Sequence, residues 1–233
     1  MPTIVENLDA LFHAERKVRS LHATLLEQDR SKLVSELGNA TKSALALPDD
    51  ADATLRLTRI ALILSDLEGD VVVDLLIDIL GGPLAEARII AGDALEALAF
   101  DRFKEVALGV ERALDRLPTS SPALTELPFL LAEVGEPGCV KLLGRFLAHP
   151  NAEVVAASIE AIAELGDPAA IPLLTPVEKD SRQVQLDEDS GEGERIAIGD
   201  LAFEARELLL HVEQHDHEIS ADGRKGSPAK KRR

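Results

Sequence analysis

Apolar residues recur at helical spacing along most of the chain. The clearest example is residues 150–174, where Val154, Ile159, Ile162 and Leu165 form one apolar stripe after an extended Pro-Asn entry. A Gly-Asp-Pro turn at 166–168 ends this helix, and a second apolar helix follows it. Each helix has only one apolar face and is too short to be stable alone in water. The pattern therefore predicts a helical hairpin that needs other hairpins as packing partners.

The same hairpin recurs at a fixed step along the sequence. A shift of 67 positions superimposes Pro150 on Pro83, and a shift of 31 places the turn at 134–137 on the turn at 165–168. Helical repeats have units of roughly 31–36 residues, and 67 corresponds to two such units. Turn residues and apolar positions coincide under the same shifts. The sequence therefore predicts an all-α fold, a right-handed α-solenoid of stacked antiparallel helix pairs.

The periodicity divides the chain into three regions. Residues 1–47 are predicted to form an N-terminal helical hairpin, which either caps the repeats or serves as a dimerisation or docking helix and so offers a route to a homo-oligomer. Residues 51–212 are predicted to form the repeat solenoid. From residue 213 to 233 the apolar periodicity is lost, which predicts a disordered tail with a basic end.

Within the solenoid the sequence predicts four helix pairs, one loop and a closing helix. Pro172 and Pro176 fall inside the last paired helix, which should therefore be short or bent. The polar, acidic segment 180–194 is predicted to be a mobile loop, and Arg195–Val212 a final amphipathic helix. The predicted pairs are Ala51–Leu67 with Asp70–Leu80, Pro83–Phe100 with Asp101–Leu117, Ala123–Val134 with Gly138–Ala148, and Asn151–Leu165 with Ala169–Lys179.

Over roughly residues 51–212 the chain resembles the HEAT-repeat family, in the short form known as the PBS-lyase-type HEAT-like repeat. The family pattern has a Val-Arg or similar pair early in the first helix and Leu-Gly-Asp-Pro at its end. Here Leu55-Arg56, Ala87-Arg88 and Ala205-Arg206 match the pair, whereas Val154-Val155 lacks the arginine. The resemblance implies a scaffold that binds other molecules along its stacked surface.

Composition and charge narrow the class of protein. Aromatic residues make up 3% of the chain, so the core must consist of Leu, Ala, Val and Ile. No apolar run is long enough for a membrane span, and a single cysteine excludes an internal disulfide framework, which predicts a cytoplasmic protein. The net charge is −17, and the body without its last ten residues carries −23. An acidic body favours a partner protein with a basic surface and disfavours nucleic acid, although surface acidity also serves solubility alone.

Candidate chemistry is sparse along the sequence. His211 and His215 lie one helical turn apart with His217 nearby, but Val212 stands where a zincin has glutamate, so no metal site is predicted. The iron-holding HEAT-like hydroxylase uses repeated His-Glu pairs, and this chain has such a pair only at His217-Glu218. Cys139 lies at an apolar helix start and is predicted to pack. We predict no catalytic residue and no cofactor.

The second helices of the repeats supply the candidate binding surface, because these helices line the concave face of a helical solenoid. Under the shift of 67, Asp74 corresponds to Lys141 and Asp78 to Arg145, so equivalent positions change sign along the groove. The alternative is that these residues form an ordinary solvated face. The candidate protein-binding residues are Asp74, Asp78, Arg112, Arg116, Lys141 and Arg145, and the candidate electrostatic contacts of the tail are Lys230, Lys231, Arg232 and Arg233.

These observations predict a noncatalytic scaffold or adaptor that binds another protein through its concave face or its acidic loop. One alternative is a PBS-lyase-like accessory subunit of a modifying enzyme, although no residue for handling a chromophore is recognisable. The second alternative is a nucleic-acid-associated protein that uses the basic tail, which the acidic body disfavours.

Overall fold

A computed structural model describes residues 2–185 and 195–223 of the chain, with side chains described through residue 212. The chain divides after Gly109 into two compact units. Its helices are α1 (Ile4–Leu26), α2 (Arg30–Leu45), α3 (Asp50–Leu64), α4 (Asp70–Leu80), α5 (Ala85–Arg116), α6 (Ala123–Val134), α7 (Cys139–Phe146), α8 (Ala152–Leu165), α9 (Ile171–Leu174) and α10 (Ile198–Gly223). The strands are β1 (Gln183–Gln185) and β2 (Arg195–Ala197), and short 3₁₀ turns occupy Pro168–Ala170 and Val177–Lys179.

The all-α fold class predicted from the sequence is confirmed, with consecutive helices packed as pairs in the manner of an α-solenoid. In the first unit, α2 packs on α3 and α4, and α3 packs on α4. In the second unit, α6 packs on α7 and α8, and α10 covers the far side of α8. The buried side chains are almost all Leu, Ala, Val and Ile, as the low aromatic content requires. Among the described helices, none combines the length and apolar character that a bilayer crossing requires.

The glycine turns found by the repeat shift have the same backbone geometry. Gly135 ends α6 with φ of 63°, and Gly166 ends α8 with φ of 66°. Both are left-handed conformations that favour glycine at the end of a helix. Each amide donates to a carbonyl of the preceding turn, of Leu131 and Ile162 respectively. The two turns are therefore equivalent in structure as well as in sequence.

The predicted break near residue 100 lies inside α5. Arg102 has φ of −143° and ψ of 52°, which is not helical, so α5 consists of two helical segments. The predicted boundary between Phe100 and Asp101 lies one residue before this kink. The last paired helix is broken as expected, since Pro172 and Pro176 fall where α9 is only four residues long.

Two predictions for the C-terminal part are corrected by the structure. Residues 183–185 of the predicted loop 180–194 form β1, which pairs antiparallel with β2 at 195–197, where a helix was predicted to begin. Val184 is buried and stands opposite Ile196, so a small apolar contact holds the ribbon. Helix α10 begins at Ile198 and continues to Gly223, although residues from 213 were predicted to be disordered. Once a helix is nucleated, each further residue adds one hydrogen bond, so the helix can continue without an apolar face.

Candidate functional site

The predicted surface residues lie on three helices in two units. Asp74 and Asp78 are half-buried on α4 of the first unit, while Lys141 and Arg145 are exposed on α7 of the second unit. Arg112 and Arg116 lie on the C-terminal segment of α5, also in the second unit. The prediction that side-chain charge changes from acidic to basic along one groove concerns residues of both units. It stays a prediction. The site described below belongs to the second unit alone.

Helix α7 presents one open face to solvent. Lys141, Gly144, Arg145 and Ala148 follow one another at spacings that place them on the same side of a helix. The opposite side is held in the core by Cys139, Leu142, Leu143 and Phe146, all buried. We call these four outward residues, 141, 144 and 145 on α7 and 148 in the turn after it, the α7 face.

Arg145 is anchored to acidic residues of the neighbouring helix. Its guanidinium lies 2.9 Å from Asp115 Oδ1 and 3.7 Å from Glu111 Oε1, both on the C-terminal segment of α5. The Asp115 side chain is 74% exposed and that of Arg145 38%, so the pair stays in contact with water. An ion pair this exposed adds little to stability. Its groups can therefore exchange partners with a bound molecule at low cost.

The second wall of the α7 face is apolar. A shallow cavity of about 490 Å³ lies between α7 and the segment that contains α9. Gly144, Ala148, Pro172 and Leu173 line it, and the charged Lys179 and Asp180 are also part of its lining. Leu173 lies so close to Gly144 that a Cβ built there would be 3.1 Å from Leu173 Cδ1. The absence of a side chain at 144 thus lets Leu173 pack directly against α7 at the edge of the groove.

Glu111 and Asp115 were missed by the sequence analysis, as was the groove. Glu111 precedes Arg145 by 34 positions, about half of the shift of 67 that aligned Asp78 with Arg145, so its only sequence signal is an equivalent repeat position, which does not show that the two side chains meet. The groove carried no such signal, because Gly144 and Ala148 bear no chemistry of their own. The basic end predicted for the surface is therefore a mixed-charge patch beside an apolar groove.

Arg182 ties the start of β1 to the repeat that precedes it. Its Nε donates to Asp180 Oδ1 and Oδ2 at 3.0 and 2.9 Å, and its Nη1 donates to the carbonyl of Pro150 at 2.7 Å and to that of His149 at 3.2 Å. The Arg182 hydrogen bond lowers the pKa of the Asp180 carboxyl, and the same contact raises the pKa of Arg182. Residues 180–182 are therefore fixed to the turn between α7 and α8.

His149 lies beneath this contact and is only 8% exposed. Its Nδ1 accepts a hydrogen bond from the backbone N–H of Asn151 at 3.2 Å. Burial lowers the pKa of His149, and the nearby Arg182 charge acts in the same direction. The imidazole is thus held in its neutral form in the folded protein.

This histidine should make stability depend on pH. The unfolded chain takes up a proton near pH 6.5, whereas folded His149 does so only at lower pH, so the free energy of unfolding should fall as pH drops below about 6.5. Asp180 adds a further loss in more acidic solution, as the pH falls through its lowered pKa. Urea denaturation at pH 7 and pH 5 measures the slope of the free energy of unfolding against pH.

We expect His149→Gln to flatten the slope between pH 7 and pH 5, apart from any change in overall stability. His13→Gln, at an exposed position of α1, is the matched control and should leave the slope unchanged. An H149Q variant with the slope of the wild type would contradict the assignment.

The remaining sequence candidates lie apart from the α7 face. Cys139 is fully buried, as predicted, and burial raises the pKa of its thiol. His211 Nδ1 lies 2.7 Å from the Glu207 carbonyl oxygen, while the side chains of His215 and His217 lie outside the described residues, as do Lys230, Lys231, Arg232 and Arg233. In the part of the chain described here, no group of three or more His, Cys, Asp or Glu side chains is placed to hold a metal ion.

The second unit also carries the match to a known family. Residues 126–187 match the family model for HEAT repeats. This segment therefore resembles HEAT repeats. It contains α7 and α8, so the α7 face lies within the matched residues. The family resemblance predicted from the Leu-Gly-Asp-Pro turn is confirmed for this segment.

Two solved structures resemble the chain over most of its length at low sequence identity. An engineered protein is 18% identical, with 84% of this chain and 97% of that chain covered at a TM-score of 0.36. The human deoxyhypusine hydroxylase, solved in complex with glycerol, is 15% identical, with 88% of this chain and 99% of that chain covered at a TM-score of 0.32. No curated protein matches the chain.

Proposed function

We propose that this chain is a noncatalytic scaffold or adaptor that binds another protein through the α7 face. The observation that carries the proposal is the arrangement around α7, where a charged pair open to water lies near a mainly apolar groove between Gly144 and Leu173. Protein interfaces commonly combine an apolar centre with a polar rim, and this surface offers both on one rigid helix. The HEAT repeats that carry it form a scaffold suited to binding along one face.

The surface favours a particular kind of partner. The groove of about 490 Å³ accepts one or two apolar side chains of a partner segment, and exposed Lys141 meets an acidic group beside them. Glu111 and Asp115, which contact Arg145, meet basic groups of the partner, in line with the strongly acidic body of the chain. Charges of both signs at fixed positions orient the bound segment. We further propose that this binding takes place in the cytoplasm, where a reducing environment suits a lone cysteine.

Charge reversal on the α7 face tests the proposal. Lys141→Glu with Arg145→Glu should lower the captured partner about tenfold, which corresponds to roughly 1.4 kcal/mol of binding free energy. The measurement is affinity capture from lysate of the native host, with the partners quantified by mass spectrometry and the fold of each variant checked by circular dichroism.

Two further variants make the result specific. Lys32→Glu with Lys42→Glu changes the net charge by the same amount on exposed positions of α2 and should capture the partner as the wild type does. Ala148→Arg fills the mouth of the groove, leaves the Arg145 pairs intact and should also reduce capture. Equal capture by wild type and K141E/R145E would eliminate the α7 face, and an equal loss in K32E/K42E would assign the effect to net charge alone.

A further inference from the structure

The N-terminal half of α1 carries an apolar face that the rest of the chain leaves open. Although α1 is 23 residues long and begins with a complete capping box between Thr3 and Glu6, none of its residues 4–26 is buried. The apolar side chains of its first three turns lie on one side of the helix, because they are spaced three and four positions apart. We call them the α1 face; they are Ile4, Val5, Leu8, Leu11 and Phe12, each between 45% and 81% exposed.

The body of the chain covers only the second half of α1. Glu15 Oε2 lies 3.9 Å from an Arg59 nitrogen, and His22 Nε2 lies 2.9 Å from Asp66 Oδ2. Both contacts join residues 44 positions apart, so α1 and α3 run side by side in the same direction. Every residue of α1 before Glu15 is exposed. The helix is therefore fixed to the body from Glu15 onward, and the α1 face lies entirely in the part that is not covered.

Helix α3 adds to the open apolar surface. The same offset of 44 places Leu11 beside Leu55, which is 63% exposed. Leucines at corresponding positions of two helices in close contact would cover each other, so the exposure of both shows a groove between the N-terminal halves of α1 and α3. A shallow cavity of about 590 Å³ also lies against Leu55, with Thr54, Arg59 and Glu86 in its lining. A segment bound along the α1 face can therefore also contact α3.

Acidic side chains surround this groove. Residues 4–14 contain Glu6 and Asp9 and no lysine or arginine. Residues 48–55, at the start of α3, likewise contain no lysine or arginine, and the next basic residue, Arg56, is paired with a carboxylate at 2.9 Å. A surface with charges of one sign attracts a partner of the opposite sign. The acidic residues at the start of α3 are Asp49, Asp50 and Asp52.

These charges decide between the possible occupants of the groove. A second copy of α1 would bring two acidic helix ends together, which like-charge repulsion opposes. The basic end of the chain, residues 224–233, has six basic residues but no leucine, isoleucine, valine or aromatic residue with which to cover an apolar face. A helix that has both an apolar stripe and basic flanks satisfies both requirements.

We propose that the α1 face, together with Leu55, binds a basic amphipathic helix of a second protein. Apolar side chains of that helix, spaced three and four positions apart, pack on Ile4, Leu8 and Leu11, as in other complexes of a helix with a groove. Its lysine or arginine side chains meet the surrounding carboxylates and fix its orientation. This surface belongs to the first unit alone, so the assignment stands independently of the function proposed for the α7 face.

Binding of designed peptides to the full chain tests the proposal. The probe is a fluorescently labelled helical peptide of about 18 residues, or five helical turns, with leucines along one face and lysines on both flanks. One control peptide has glutamate in place of every lysine, and the other has serine in place of every leucine. Fluorescence anisotropy should show saturable binding of the probe and about tenfold weaker binding of each control.

Two variants of the chain locate the binding site. Leu8→Gln with Leu11→Gln removes apolar surface without changing the charge and should weaken binding of the probe about tenfold. Both positions are exposed, so this variant should keep its helical circular dichroism. Leu108→Gln with Leu208→Gln makes the same change at exposed leucines on other helices and should bind the probe as the wild type does.

Several outcomes overturn the proposal. Absence of saturable binding, or equal binding of the glutamate peptide, excludes a basic amphipathic helix as the occupant. Wild-type affinity in L8Q/L11Q, or an equal loss in L108Q/L208Q, places the peptide elsewhere on the chain. A dimer of the wild type in sedimentation equilibrium that is lost in L8Q/L11Q assigns the α1 face to a second copy, and binding of the wild type but not L8Q/L11Q to phosphatidylcholine vesicles assigns it to a membrane.

Discussion

Replacing Phe146 with alanine is expected to lower the free energy of unfolding of the second unit by about 3–5 kcal/mol. Phe146 is the largest fully buried side chain among the described residues, and it lies near the end of α7. Helix α7 is only eight residues long, so packing rather than intrinsic helix propensity must hold it in place. Loss of the ring would leave a cavity in a core with few other large side chains to fill it. Urea denaturation followed by circular dichroism measures the effect.

The matched control for this prediction is Phe100→Ala. Phe100 is 56% exposed, so the same deletion should cost far less there. If F146A and F100A had similarly small effects, the packing described for α7 would be wrong, and with it the rigid support of the α7 face.

Replacing Gly199 with alanine is expected to cost about 1–3 kcal/mol, through overpacking against the backbone. A Cβ built at Gly199 would lie 2.5 Å from the Glu178 carbonyl oxygen and 3.1 Å from that of Asp180. Backbone atoms cannot move aside as a side chain can. In addition, the Gly199 amide donates to the Asp180 carbonyl at 2.9 Å, which fixes the approach of α10. The first turn of α10 should therefore be displaced in G199A, with a lower midpoint of thermal unfolding.

Gly92→Ala is the matched control for the glycine change. Gly92 lies within α5, and a Cβ there would meet Leu80 Cδ1 at an ordinary contact distance of 3.8 Å. Alanine is favoured over glycine inside a helix by roughly 0.5–1 kcal/mol, so G92A should be slightly more stable than the wild type. A G199A protein as stable as G92A would contradict the close approach of α10 to residues 178–180.

Most of the fold follows from apolar spacing combined with turn chemistry. The glycines at 135 and 166 set the ends of α6 and α8, and the paired starts and stops of α3, α4, α7 and α8 lie within three residues of their predicted positions. These elements were predictable because one helical face of each is apolar over several turns. There the apolar spacing predicts a helix, and the glycine that follows predicts its end, so both signals favour the same structure.

The segment after Lys179 was less predictable for physical reasons. Strands β1 and β2 are three residues long, so no alternation could be recognised, and the acidic composition between them dominated the pattern. What fixes β1 is tertiary, namely burial of Val184 and the contacts of Arg182 with carbonyls that lie more than 30 positions earlier. The continuation of α10 beyond residue 212 likewise depends on helix propagation rather than on an apolar face.

The candidate site was predictable only in part. Lys141 and Arg145 were identified because charged residues at equivalent repeat positions are visible in an alignment of the chain with itself. Arg145 is nonetheless paired with Glu111 and Asp115, and a repeat shift compares positions without showing which side chains meet. The groove lies where Leu173 packs against Gly144, a tertiary contact that a search for chemistry-bearing residues passes over.

The position of Cys139 has a practical consequence for studying the second unit. It is the only thiol in the chain, and it is fully buried at the first turn of the helix that carries the α7 face. A thiol reagent can therefore modify it only when that repeat opens, so the labelling rate reports local opening directly. The native sequence thus contains its own probe of how firmly α7 is held, and slower labelling in the presence of a bound partner would measure the stabilisation that the partner confers.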